Sequence, residues 1–173
     1  MTAGSPVTLD GSNSSDPDSH TPLTYGWVQT GGPTVTLSNA GAVSPTFTAP
    51  GHTTVLTFTL TVTDSFGLAD PTPDEIVIAV TNQAPVANAG SNQDVAVGSS
   101  VTLDGSGSSD PDAHTPLTYR WEQSGGPAVT LDNRDTVAPS FTTPSTPAVL
   151  TFTLWVTDSY GLVAPSADDV VVT

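Results

Sequence analysis

The chain has 173 residues, with 17 acidic side chains set against two basic ones and a formal net charge of −15 at neutral pH. Such a charge repels nucleic-acid phosphates and anionic lipid headgroups and favours metal cations, so neither nucleic acid nor insertion into a membrane is expected. The absence of cysteine removes disulfides, thiolate metal sites and thiol nucleophiles, and no run reaches the roughly 18 apolar residues of a spanning helix.

From the N-terminus, Met1 leads directly into a strand-like pattern, which reads as a fragment of a longer protein. Val7 and Leu9 form a first inward pair, followed by the turn-forming Asp16-Pro17-Asp18. Leu23, Tyr25 and Trp27 share a parity and so point to one side of a strand, bringing an aromatic pair into a core. After Gly31-Gly32-Pro33, Val35 with Leu37 and Pro45 with Phe47 supply two more strands. Leu56 to Thr63 alternates apolar and hydroxyl residues without a break, the period-two mark of a strand with one buried face. Ser65-Phe66-Gly67 then turns the chain into a last strand over Ile76 to Val80.

The same series then returns at an offset of 94 residues. Val7-Thr8-Leu9-Asp10-Gly11 recurs as Val101 to Gly105, Asp16-Pro17-Asp18 as Asp110-Pro111-Asp112, and Leu56 to Leu60 as Leu150 to Leu154. That period is too long for a solenoid unit of about 20–50 residues and suits an independently folding domain. The expected architecture is therefore all-β, two tandem immunoglobulin-like antiparallel sandwiches of about seven short strands each, spanning residues 1–81 and 82–173. Asn82 to Asp94 has no counterpart before Met1, so the first domain is expected to lack its first edge strand and to leave a neighbour's backbone bare. Truncating Trp27 or Trp121 to Ala should cost about 3–5 kcal/mol.

Asn82 to Gly90, Val101 to Asp112, Leu117-Thr118-Tyr119-Arg120-Trp121 and the closing Val156 to Leu162 together resemble the polycystic kidney disease (PKD) domain in its bacterial tandem-array form. The resemblance covers both repeats. After the Trp, where many members carry Gly-Asp-Gly, this chain has Gln123-Ser124-Gly125-Gly126-Pro127, as in a subgroup. It implies an extracellular, cell-surface or secreted sandwich without catalytic activity, found in surface layers, adhesins and spacers of secreted hydrolases. It also implies that some members bind calcium near the domain entrance, at positions matching Asn82, Asp110 and Asp112.

In this topology the incoming linker, the loop after the second strand and the last hairpin lie at one pole. For the second domain these bring Asn82, Asp110, Asp112 and Asp158, an oxygen-only set suited to Ca²⁺, which would be bound weakly and stiffen the joint between domains. Asp16, Asp18 and Asp64 form an incomplete version in the first. The competing reading is ordinary turn chemistry, with Asp side chains accepting local backbone bonds. His20 and His114 repeat at one loop position and are read as structural, neither metal ligands nor general bases, since each loop has one imidazole and no recognisable nucleophile. His52 corresponds to Thr146 and is given no role, and neither is the glycosylation-like triplet Asn13-Ser14-Ser15.

Trp155 replaces Thr61 at an outward parity and is a candidate contact for a glycan or a neighbouring chain. The expected function is a non-enzymatic structural, adhesion or spacer module that meets protein or glycan partners, with self-association into fibres by strand addition as a variant. The alternative is a carbohydrate-binding or substrate-binding accessory of a secreted hydrolase.

Overall fold

A computed structural model describes all residues from Met1 to Thr173, and the chain divides into two units, Met1–Asn82 and Gln83–Thr173. Unit 1 contains β1 (Pro6–Thr8), β2 (Thr24–Gly31), β3 (Thr46–Thr48), β4 (Thr54–Thr63) and β5 (Asp74–Val80). Unit 2 repeats them as β6 (Ser100–Thr102), β7 (Thr118–Gly125), β8 (Ser140–Thr142), β9 (Leu150–Thr157) and β10 (Asp168–Val172). In each unit the short first and third strands pair as one antiparallel sheet, and the other three form a second with the fourth strand at its centre.

The central strand shows why the sequence folds this way. Leu56, Phe58 and Leu60 are buried on one side of β4, as are Leu150, Phe152 and Leu154 on β9, while the intervening Thr residues line the other face. Apolar residues of the two sheets meet in between. In unit 1 Phe47 of β3 lies 5.2 Å from Phe58 between ring centroids; Phe141 and Phe152 are 4.6 Å apart in unit 2. Trp27 and Trp121 are buried in their respective cores, and each indole N–H donates to a loop carbonyl, that of Ala42 at 3.1 Å and that of Thr136 at 3.2 Å. A buried indole thus keeps its polar atom satisfied while its ring fills the core. Tyr25 and Tyr119 pack against the same clusters from half-buried positions.

Two expectations about strands change. The Val35-Leu37 segment packs on the core without forming a strand, because a glutamine side chain takes up its backbone groups. Gln29 Nε2 donates to the carbonyls of Gly31 and Pro33, and its Oε1 accepts from the Val35 N–H at 3.0 Å. Gln123 repeats the clamp on Gly125, Pro127 and Val129. Each unit consequently has five strands and not seven. The expected bare edge of unit 1 is also partly covered: the Met1 ammonium donates to the Ala79 carbonyl and the Ala3 N–H to that of Thr81, both at 2.8 Å, beside the end of β5. Gln93–Val95 makes the matching parallel contact with Val171 and Thr173 in unit 2.

Candidate functional site

At one pole of unit 2, the loop before β7 and the hairpin after β9 are each built around one aspartate. Asp110 Oδ1 accepts the backbone N–H groups of Asp112 and His114 at 2.8 and 3.0 Å, which lets Ala113 take a positive φ of 60° and turns the chain toward the cis bond Thr115-Pro116. Asp158 Oδ1 likewise accepts from Tyr160 and Leu162, both at 2.8 Å, and shapes the hairpin. A short carboxylate that collects several local N–H groups is the reason Asp, not Glu, occupies these turns. The two loops are joined through His114, whose carbonyl accepts the Ser159 N–H and whose ring meets Tyr160 edge-on at 4.7 Å and 88°.

This folding brings one oxygen of each carboxylate toward one imidazole: the Asp158 oxygen left over from the hairpin, and the Asp110 oxygen that also accepts the loop N–H groups. His114 Nδ1 lies 3.9 Å from Asp158 Oδ2 and 4.0 Å from Asp110 Oδ1. One donor atom from each of the three residues falls within 4.8 Å of the others. The side chains of Asp110 and Asp158 are 0% exposed and that of His114 is 8% exposed. Within this enclosed group, Asp110 Oδ2 is buried without a hydrogen-bond partner.

The other two expected ligands, Asp112 and Asn82, have hydrogen bonds of their own. Asp112 Oδ2 accepts the Gln83 backbone N–H at 2.7 Å and its Oδ1 accepts from Gln83 Nε2 at 2.8 Å. These two bonds, backbone first, hold the Asp112 carboxyl below its ordinary value. The Asn82 N–H donates to Thr53 Oγ1 within unit 1. As folded, Asp112 accepts a hydrogen bond at each oxygen from Gln83, and the group gathered around Asp110 and Asp158 includes the His114 ring nitrogen. His114 was legible only as a repeated loop residue. A His four positions after the loop's first Asp was the available signal.

Unit 1 carries the same construction with Asp16, His20 and Asp64. Asp16 Oδ1 accepts from Asp18 and His20, and Asp64 Oδ1 from Phe66 and Leu68. The N–H of Leu68 is the main cause of a lowered Asp64 carboxyl. His20 Nδ1 lies 3.6 Å from Asp64 Oδ2, yet its side chain is 40% exposed, and Asp18 points to solvent. Burial differs because residues preceding β6 close over the loop in unit 2, where Val86 and Ser109 exchange backbone hydrogen bonds.

Trp155 is exposed on the outer face of β9, as its parity requires, opposite Arg120 of β7. The same pair in unit 1 is Thr61 and Gly26, so both partners differ together. Arg120 pairs with Glu122 on that face, and Thr153 donates to Asp169 at 2.6 Å beside it. A cavity of about 680 Å³ in unit 2 is lined by Val, Ala, Pro, Thr and Leu side chains and has no titratable side chain.

Two antiparallel sheets closed around a Trp-centred core, repeated along one chain, define a tandem immunoglobulin-like β-sandwich protein. Residues 1–80 and 89–173 each match the family described as K319L-like, PKD domain, and the chain belongs to that family. It is 35% identical over 169 residues to the dyslexia-associated protein KIAA0319 homolog of Mus musculus, covering 92% of this chain and 15% of the mouse protein. It is 37% identical over 138 residues to the Rattus norvegicus homolog, covering 75% of this chain and 12% of that protein. Among solved structures, the PKD domain from KIAA 1837 protein is 34% identical, with a TM-score of 0.41, and covers 50% of this chain and 84% of its own.

Proposed function

We propose that this chain is a non-enzymatic extracellular module that spaces or presents other parts of a larger surface, fibre or secreted protein and engages protein or glycan surfaces. The supporting observation is that the family match falls twice, and each match coincides with a unit that closes its own hydrophobic core. Modules with separate cores can be strung together without each depending on a partner for stability. The polar groups repeated in both units serve turns: Asp16, Asp64, Asp110 and Asp158 each accept two backbone N–H groups. Pulling a single chain by its ends tests the reading. Two separate unfolding events are expected, the 82 residues of unit 1 releasing a contour of about 290 Å when fully extended. One event spanning the whole chain would refute independent modules, and turnover of a substrate by purified protein would refute the non-enzymatic role.

A second reading, a carbohydrate-binding accessory of a secreted hydrolase, is favoured by Trp155 and its polar neighbours Arg120, Glu122 and Asp169. An exposed indole rimmed by hydrogen-bonding groups suits the apolar face of a sugar ring. Polysaccharide retention by the wild type that disappears in Trp155→Ala, with an unchanged melt, is the outcome this reading requires.

A further inference from the structure

We propose that Asp110, His114 and Asp158 form a binding site for a borderline divalent cation, with Zn²⁺ as its representative, and that Asp16, His20 and Asp64 form a weaker copy. The argument begins with the buried oxygen. A carboxylate oxygen removed from water with no donor nearby is expensive, and native folds resolve this by supplying a proton donor or a cation. Asp110 Oδ1 already accepts two N–H groups, whereas Oδ2 accepts none. A cation held at this group would satisfy it.

The donor set selects the kind of cation. Two carboxylates and an imidazole suit an ion that accepts both oxygen and nitrogen, whereas Ca²⁺ takes six to eight oxygens. A tetrahedral Zn²⁺ with bonds of about 2.0–2.1 Å places its ligand atoms ~3.3 Å apart. The imidazole lies 3.9 Å from Asp158 Oδ2 and 4.0 Å from Asp110 Oδ1 in unit 2, so closing on an ion requires the donors to draw in by roughly 0.6–0.7 Å, with the unpartnered Asp110 Oδ2 on the same carboxylate free to share the ion. Three protein ligands leave the fourth position to water. The backbone bonds to Oδ1 of both carboxylates and the Tyr160 ring against His114 already orient the side chains, as ligand-supporting contacts do in metal sites. In unit 1 the half-exposed His20 is less constrained, so the second copy binds less tightly.

The test uses the full chain after chelator treatment. Nitrogen-detected NMR of the histidine rings during addition of ZnCl₂ is expected to move the His114 signals first and the His20 signals at higher metal, while exposed His52 stays fixed. Calcium chloride at millimolar concentration should move none of them. Thermal unfolding should rise by about 10 °C when Zn²⁺ reaches ~100 times its dissociation constant. His114→Gln, which keeps a polar side chain of similar reach, should abolish the rise assigned to unit 2. Stationary His114 signals under excess Zn²⁺ overturn the proposal even if His114→Gln fails to fold. So does a Zn²⁺-dependent rise that survives in a folded His114→Gln, or an equal response to calcium.

Discussion

At the scale of single residues, the aspartates of the poles act as local organisers of backbone. Asp158 is 3% exposed and satisfies two hairpin N–H groups with one oxygen. Replacing it with Ala strands both donors at a buried turn, so Asp158→Ala should lower the stability of unit 2 by about 1.5–3 kcal/mol, read by urea denaturation. Asp158→Asn retains an acceptor oxygen and should lose less. Equal losses would mean that the carboxylate's role lies outside the hairpin. The clustering of these aspartates at one pole was legible from Asp110-Pro111-Asp112 and Asp158 in the repeat. Their division of labour was not: whether Asp112 meets a cation or Gln83 depends on how residues 83–86 approach the loop, and no local pattern in the sequence encodes that approach. His114, read from the sequence as a structural loop residue, meets two carboxylates in the fold, one of which lies 44 positions away in the chain, and no local pattern shows that meeting.

At the scale of elements, the strands follow the period-two pattern wherever that pattern is long. Leu56 to Thr63 and Leu150 to Thr157 were readable because one face is uniformly apolar and the other uniformly hydroxylated. Val35-Leu37 was misread because its two inward side chains do resemble a strand, while the backbone partner is the side chain of Gln29. The Gly-Gly-Pro turn preceding it is more demanding than composition suggests. Gly126 has a φ of +87°, and a Cβ there would sit 2.2 Å from the Val149 carbonyl oxygen. Gly161 has a φ of +88° but open space around it. Both substitutions to Ala incur the left-handed backbone penalty of about 1–2 kcal/mol. Gly126→Ala must in addition push the turn away from the start of β9, so it should destabilise unit 2 clearly more than Gly161→Ala. Comparable melting temperatures for the two variants would show that the turn is free to move.

For the whole molecule, the pH response follows from many small carboxylate turns acting together. Asp10, Asp64, Asp70, Asp104 and Asp112 all have carboxyl groups lowered below 3.8, chiefly by hydrogen bonds from nearby backbone N–H groups or serine hydroxyls. A lowered folded value means that the unfolded chain takes up protons first. The associated stability is complete above the unfolded range near pH 4 and is lost as pH falls through the folded values. Acidification also reduces the self-repulsion of a chain carrying −15, an effect that works the other way. That repulsion is spread over exposed groups and is screened by salt, whereas the turn bonds are short and local. At 0.15 M salt the local bonds should therefore dominate, giving a melting temperature that is flat from pH 7 to about 5 and declines below about 4. In very low salt the same titration should show a smaller acid decline, since relief of repulsion then offsets more of the loss. A melting temperature that rises steadily from pH 5 to 2 at 0.15 M salt would mean that charge density, and not the aspartate turns, governs the stability of both units.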